Sequence, residues 1–398
     1  MTMPPLNILF LTAHLPVLDL HGGGTRMFHN LRALSQQHQL SLISFIESEA
    51  EEEHLPKLKD LGIRVRTLLR RPSPAHHLFV PKPREHDEYY SQELTGLIQE
   101  MLTRQKFDVI QAEFVQMGQH VPGSLPVLKI LTEHEIQFLN YRAAFKAETS
   151  PLWKAKKFYD WMVQLKYEIE ICRRFDWVVC MTDEDMSSLN GFVPIHRLKR
   201  IPIGVDSEYF RPRAGVLRKS DLPRLLFVGN YRHPPNREAV SHFAMEILPR
   251  IHKVIPHVQF CVVGANADLL DRRTLSRIPQ VKVVGYVKDV RDHYQEADVF
   301  VAPILSGNGM RVKLLEAFSM GMAVVASPLA NFGFCTKNEE HLLLSDSPDE
   351  FAAQTVRLLK DPSLCQRLGA NARIAIKTHY DWEIIKTQFL ELVESRHA

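Results

Sequence analysis

Arg311, Lys313 and Glu316 follow two glycines, Gly307 and Gly309, in the stretch Pro303-Ile304-Leu305-Ser306-Gly307-Asn308-Gly309-Met310-Arg311-Val312-Lys313-Leu314-Leu315-Glu316-Ala317. An apolar run, Asp298-Val299-Phe300-Val301-Ala302, leads into it and reads as a buried strand. A helix is expected after the glycines, with Arg311, Lys313 and Glu316 in its first turns. Free N–H groups at a helix start, together with the helix dipole, attract anions. Glycines let the backbone come close to a phosphate. Two cations add charge, and a carboxylate further along can accept hydrogen bonds from sugar hydroxyls. That combination suits a nucleoside diphosphate with its ribose. Taken alone, the stretch also reads as an ordinary strand-loop-helix with surface charges, because Gly-rich turns of this kind are common.

Four other segments carry residue types of interest. His21-Gly22-Gly23-Gly24-Thr25-Arg26 lies between the first apolar run and a helix expected from about Thr25. Gly23 and Gly24 would allow a charged or bulky ligand to approach the backbone; the plain alternative is a flexible turn. Thr132-Glu133-His134-Glu135 follows the run Val127–Leu131. A histidine at a strand end beside acidic residues can have its imidazole oriented, although a lone histidine is more often structural. Of its two acidic neighbours, one is expected only to orient the loop. Asn230, Arg232, Asn236 and Arg237 sit in the loop after Arg224–Val228, where Arg232 or Arg237 could reach a phosphate or simply be solvated. Gly285-Tyr286-Val287-Lys288-Asp289 follows Val281–Val284.

The elements that must position these residues alternate short apolar runs with amphipathic segments, the pattern of α/β layers. Strands are predicted at Ile8–Thr12, Leu40–Phe45, Arg64–Leu68, Val109–Ala112, Val127–Leu131 and Trp177–Met181 in the first half. In the second half they are predicted at Arg224–Val228, Gln259–Val263, Val281–Val284, Val299–Ala302 and Ala323–Ala326. A chain of 398 residues is long enough for two domains. The net charge of +3 argues against a nucleic-acid partner, which calls for a strongly basic stripe. Five scattered cysteines show neither a CxxC pair nor metal spacing and suggest reduced thiols in a cytoplasmic protein. The N-terminal run Asn7–Leu11 is too short for a signal peptide or a membrane span.

Residues 307–317 fit the pattern G-x-G-x-R-x-K-x-x-E-A, and Arg200-Ile201-Pro202-Ile203-Gly204-Val205-Asp206 through Phe210 and Pro212 fits an interdomain phrase x-I-P-N-G-V-D-x-x-x-F-x-P with Ile203 in place of Asn. In both, the chain resembles glycosyltransferase family 4, the retaining enzymes of GT-B fold. The resemblance spans nearly the whole chain. It implies an α/β GT-B architecture of two doubly wound Rossmann-like domains facing a central cleft. The first domain would cover residues 1–205 and the nucleotide-sugar domain residues 206–379, with a closing helix at 380–398 packed back on the first.

The resemblance also implies roles. Gly23 and Gly24 would lie near the donor phosphate and acceptor, and His134 would contact the transferred sugar. Arg311, Lys313 and Glu316 would serve diphosphate and ribose. Asn230, Arg232, Val287, Asn308, Gly309 and Met310 would also contact the donor, with backbone groups near Val287 meeting the base. The family motif places a Glu eight positions before Glu316, where this chain has Asn308. Lys and Arg positions common in relatives are here Asn230 and Asn236, so Arg311 and Lys313 should carry more of the charge, from partly exposed positions. The implied donor is a UDP- or GDP-linked sugar and the acceptor a glycan or a lipid-linked hydroxyl, with no metal or other cofactor.

Two segments stand apart. Trp153-Lys154-Ala155-Lys156-Lys157-Phe158-Tyr159-Asp160-Trp161 reads first as an ordinary helix with one buried face. Its second reading is peripheral contact with an anionic membrane or a lipid-linked acceptor. Arg70–His77 reads as an exposed loop where relatives bind acceptors. Rival functions are a nucleotide-sugar epimerase, a phosphorylase, and a catalytically impaired protein that binds a nucleotide sugar or glycan. A Rossmann dehydrogenase is disfavoured, because Gly22–Gly24 lacks the G-x-G-x-x-G spacing.

Overall fold

The computed structural model describes residues 4–18, 23–71, 82–213, 222–307 and 309–395. The chain divides into two compact units, one of residues 1–202 with 386–398, the other of residues 203–385.

The first unit contains β1 (Asn7–Thr12), β2 (Gln39–Ile46), β3 (Arg64–Leu69), β4 (Val109–Glu113), β5 (Leu128–Glu133), β6 (Trp177–Cys180) and β7 (Leu198–Arg200). They form one sheet in the order β3-β2-β1-β4-β5-β6-β7, parallel throughout. Parallel strands are covered by helices on both faces and therefore read as continuous apolar runs. Ile8 to Leu11 accordingly have no exposed surface.

The second unit contains β8 (Arg224–Val228), β9 (Gln259–Val263), β10 (Val281–Gly285), β11 (Val299–Ala302), β12 (Ala323–Ala326) and β13 (Leu343–Leu344). These run parallel in the order β10-β9-β8-β11-β12-β13. Most strand bounds agree with the predicted ones within one or two residues. The exceptions in kind are β7 and β13, too short for any period to register.

In each sheet the winding direction reverses once, between β1 and β4 in the first and between β8 and β11 in the second. Loops leaving the carboxyl ends of two such strands diverge to opposite faces and open a crevice, the usual ligand site of an open α/β sheet. The candidate residues lie at or beside these two places.

The chain passes between the units at 202–203 and again at 385–386, within the helix Trp382–Glu394. In the first unit, the fully buried Arg26 guanidinium donates to the Ile201 and Pro202 carbonyls at 2.8 and 2.5 Å. In the second, Val205 forms a bridge with Asp381, and a Cβ on Gly204 would come within 2.7 Å of the Trp382 ring.

Candidate functional site

At the switch point of the first unit, the described chain resumes at Gly23, and the helix Gly24–Leu34 begins one residue later. His21 and Gly22 lie outside the described residues. β4 and β5 are neighbours, so Glu113 at the end of one faces the residue after the other. His134 Nε2 lies 2.7 Å from Glu113 Oε2. A carboxylate only accepts, so Nε2 carries the proton and Nδ1 is left as an acceptor. Nδ1 is the atom nearest Gly23 on that ring: a Cβ there would approach it to 3.2 Å and would meet Phe114 Cζ at 2.8 Å. Only glycine fits.

Phe114 stacks on the imidazole with centroids 3.9 Å apart. Its φ of 73° lies in the left-handed region, a costly conformation for a bulky residue. Glu113 has no exposed surface, and its other oxygen accepts from Gln111 Nε2 at 3.1 Å. His134 is thus fixed from two sides, by a buried carboxylate and by a strained aromatic.

The acidic residues adjacent to His134 in sequence do other work. Glu135 accepts from Gln137 and Asn140 and holds the loop. Glu133 points into the core toward Cys172, and burial together with Glu168 pushes its carboxyl well above the usual range. The carboxylate that orients His134 is therefore Glu113. Its one sequence signal is an acidic residue closing the otherwise apolar end of β4.

At the switch point of the second unit, β11 runs into Pro303 and the glycine loop. The helix Val312–Ser319 starts after Arg311, so Arg311 and Lys313 fall on either side of its first residue. Gly307 and Gly309 have φ of 88° and 82°, which side-chain-bearing residues rarely adopt. Met310 and Gly309 are half-buried; Asn308 lies outside the described residues.

The expectation that both cations are partly exposed fails for Arg311, which is 8% exposed and donates to the Gly307 carbonyl at 2.6 Å, closing the loop on itself. Lys313 is half-buried: its ammonium donates to Asn236 Oδ1 and lies 4.6 Å from the centre of the Phe227 ring. Burial, with Arg311 adding repulsion and Glu316 opposing it, brings Lys313 down to about 7. Burial and the charges of Lys313, Arg311 and Arg237 likewise hold the His233 imidazole below its usual range. Three cations, Lys313, Arg311 and Arg237, are thus gathered close enough to His233 to act on its charge. Glu316 Oε2 accepts from the buried Tyr294 hydroxyl at 2.8 Å, which fixes the carboxylate on its helix.

The loop after β8 is tied down by its polar residues. Asn236 donates to the Asn230 carbonyl at 2.8 Å while accepting from Lys313, so it positions the lysine. Asn230 Oδ1 accepts from Asn266 at 2.8 Å, joining this loop to the one after β9. Arg237 does not extend outward as one sequence reading allowed. It donates to the Tyr231 and Arg232 carbonyls at 2.6 and 3.0 Å. Arg232 is exposed. Val287 sits half-buried beside the 76%-exposed Tyr286, in the loop after β10. Among the described residues no group of three or more His, Cys, Asp or Glu is gathered as metal ligands would be.

Two doubly wound parallel units of seven and six strands define the GT-B fold, and solved structures agree. Sucrose-phosphate synthase from Thermosynechococcus elongatus superposes with a TM-score of 0.73 at 19% identity, covering 98% of this chain and 99% of that one. Anabaena HepE in complex with UDP and glucose gives 0.72 at 14% identity, covering 98% and 100%. Residues 222–361, which hold all six strands of the second unit's sheet, match the glycosyl transferases group 1 family. Among curated proteins, the phosphatidyl-myo-inositol mannosyltransferase of Mycobacterium tuberculosis is 31% identical over 208 residues, 49% of this chain and 53% of the relative. The match thus spans about half the length of that relative.

Proposed function

We propose that this chain is a glycosyltransferase that moves a sugar from a nucleoside diphosphate sugar to a hydroxyl acceptor, with retention of configuration. The observation that carries the reading is the gathering of Arg311, Lys313 and Arg237 around His233, beside the glycine loop at the switch point of a domain that matches group 1. A diphosphate complements that positive charge, and a charge already in place can stabilise the leaving group without reorganisation. Glu316, braced by Tyr294, is assigned to the ribose hydroxyls. Gly309, Met310 and Asn230 line the donor phosphates and sugar, Arg232 is an outer phosphate contact, and the backbone near Val287 meets the base.

His134, held with Nδ1 away from Glu113, is assigned to a hydroxyl of the transferred sugar, next to Gly23 and Gly24. The protein's own cations take the place of a divalent metal in this reading. UDP and GDP are the favoured nucleotides: a structural neighbour holds UDP, and one curated relative is described as GDP-mannose-dependent. Lipid-linked or glycan hydroxyls are the acceptor class, in glycan, polysaccharide or glycolipid synthesis, following the phosphatidylinositol acceptor in the relatives' names. The test is a thermal-shift panel of UDP-, GDP- and ADP-sugars, because a ligand bound by the folded state raises stability by mass action. A shift with one nucleotide series, followed by sugar transfer that survives EDTA, supports the reading. No shift with any of them overturns it.

A further inference from the structure

The helix Pro151–Cys172 changes character halfway along. From Gln164 onward it buries Gln164, Tyr167, Glu168, Ile169, Ile171 and Cys172. No residue from 151 to 163 is buried, although this half is rich in large apolar side chains. Leu152 is 85% exposed, Trp153 60%, Tyr159 54%, Phe158 46% and Met162 42%. The sequence reading of an ordinary helix with one buried face therefore holds only for the second half. The first half packs on the helix Gln137–Ala147 through Phe145 against Trp161 and Phe158 at 5.7 and 5.5 Å, with Trp161 also reaching the core.

At about 100° per residue, Phe158, Met162, Tyr159 and Leu152 share an arc of roughly 120°. Phe158, at its edge, also meets the Trp161 ring at 5.9 Å, and Trp153 falls on the opposite face. Lys154 borders that arc on one side and Lys156 on the other. Over residues 137–163, Arg142, Lys146, Lys154, Lys156 and Lys157 outnumber Glu148 and Asp160. A cavity of about 210 Å³ beside the arc is lined by Lys82, Arg84 and Lys156 with Asp160, Tyr141 and Tyr159, Lys156 pairing with Asp160 at 2.6 Å. An apolar, aromatic stripe with lysines on both borders has the form of a helix lying in a membrane interface, with amines at the headgroups and apolar side chains below them.

We propose that this helical hairpin is a docking surface for an anionic lipid bilayer. Leu152, Tyr159 and Met162 enter the interface with Phe158 at the edge of the arc, and Lys154, Lys156 and the cavity's Lys82 and Arg84 meet the headgroup phosphates. A second copy of the chain is a poorer occupant, because a two-fold contact through this face would set the lysine borders against each other. Nothing here spans a bilayer: no helix among the described residues is long and apolar enough to do so. The surface holds the protein on the membrane from one side.

The test is co-sedimentation of the full chain with phosphatidylcholine vesicles, with and without phosphatidylglycerol, and it needs no knowledge of the sugar substrate. Binding is expected only with phosphatidylglycerol and is expected to weaken with salt. Lys154→Glu/Lys156→Glu and Leu152→Ser/Tyr159→Ser should each weaken it about tenfold or more. Circular dichroism should stay unchanged, since these side chains are exposed. The proposal is overturned if anionic vesicles are not bound, or if both double variants bind as the wild type does. It is equally overturned by a concentration-dependent dimer that Leu152→Ser/Tyr159→Ser dissolves, which would assign the face to a second copy.

Discussion

The two units solve the same topological problem with opposite chemistry. Each winds a parallel sheet that reverses at its first strand, and each places a glycine-containing loop there. In the first unit the loop faces a histidine held by a buried carboxylate, Glu113. In the second it faces Arg311 and Lys313, which donate to the Gly307 carbonyl and to Asn236. An imidazole held in one orientation suits hydrogen bonding to a sugar hydroxyl. Clustered, partly desolvated cations suit a diphosphate. The fold supplies two crevices, and the side chains at their mouths decide what each can hold.

The sharpest way to break this contrast is to remove the cations. Arg311→Gln/Lys313→Gln should reduce turnover by about two to four decades, since hydrogen bonds to charged groups contribute about 1.5–3 kcal/mol each. Near-wild-type rates in a steady-state assay would leave the second crevice without its assigned role. His134→Ala should lower turnover about a hundredfold, the scale of one lost transition-state donor or acceptor, while affinity for free nucleotide persists. Parallel kinetic and calorimetric titrations separate the two, and a loss of nucleotide affinity would move His134 to the wrong substrate half. Glu316→Ala should weaken donor binding by about 1–3 kcal/mol. Unchanged calorimetric affinity would remove Glu316 from the ribose.

The same contrast shows what the sequence could reveal. The inner strands are legible because burial on both faces makes them largely apolar runs, while the edge strands β3 and β10 are only partly buried and carry Arg64, Arg66 and Lys282. Gly307, Arg311, Lys313 and Glu316 were legible because they share one loop and one helix. Glu113 was not, because its partner His134 lies 21 residues away and the two meet only when β4 pairs with β5. The bond from Lys313 to Asn236, 77 residues distant, was hidden for the same reason. Arg311 looked like a surface cation because nothing in its neighbours' identities shows that the loop folds back onto it.

A smaller effect should appear in stability. Glu168 accepts from the Gln137 and Phe138 amides at 2.8 Å, yet burial, only partly offset by Gln164 and these amides, pushes it up to about 7. An acid whose folded pKa is raised keeps its proton in the folded state after the unfolded chain has lost it. Its contribution is therefore full below the usual carboxyl range and declines as pH rises toward about 7. Melting temperatures measured across that window should fall in the wild type and flatten in Glu168→Gln. An identical slope in the variant would assign the effect to other groups.

Calorimetric titration of UDP and GDP tests whether the second crevice takes a diphosphate. Lys313, near 7 in the free protein, should recover a proton when the diphosphate arrives. Titrations at pH 8 in buffers of different ionisation enthalpy should therefore show proton uptake. Affinity should fall as pH rises from about 7 toward the ordinary lysine range. The uptake should disappear in Lys313→Gln, and most of the affinity should be lost in Arg311→Gln/Lys313→Gln. Binding of uridine or guanosine as tight as that of the diphosphate, or an affinity for UDP and GDP unchanged in the double variant, would contradict it.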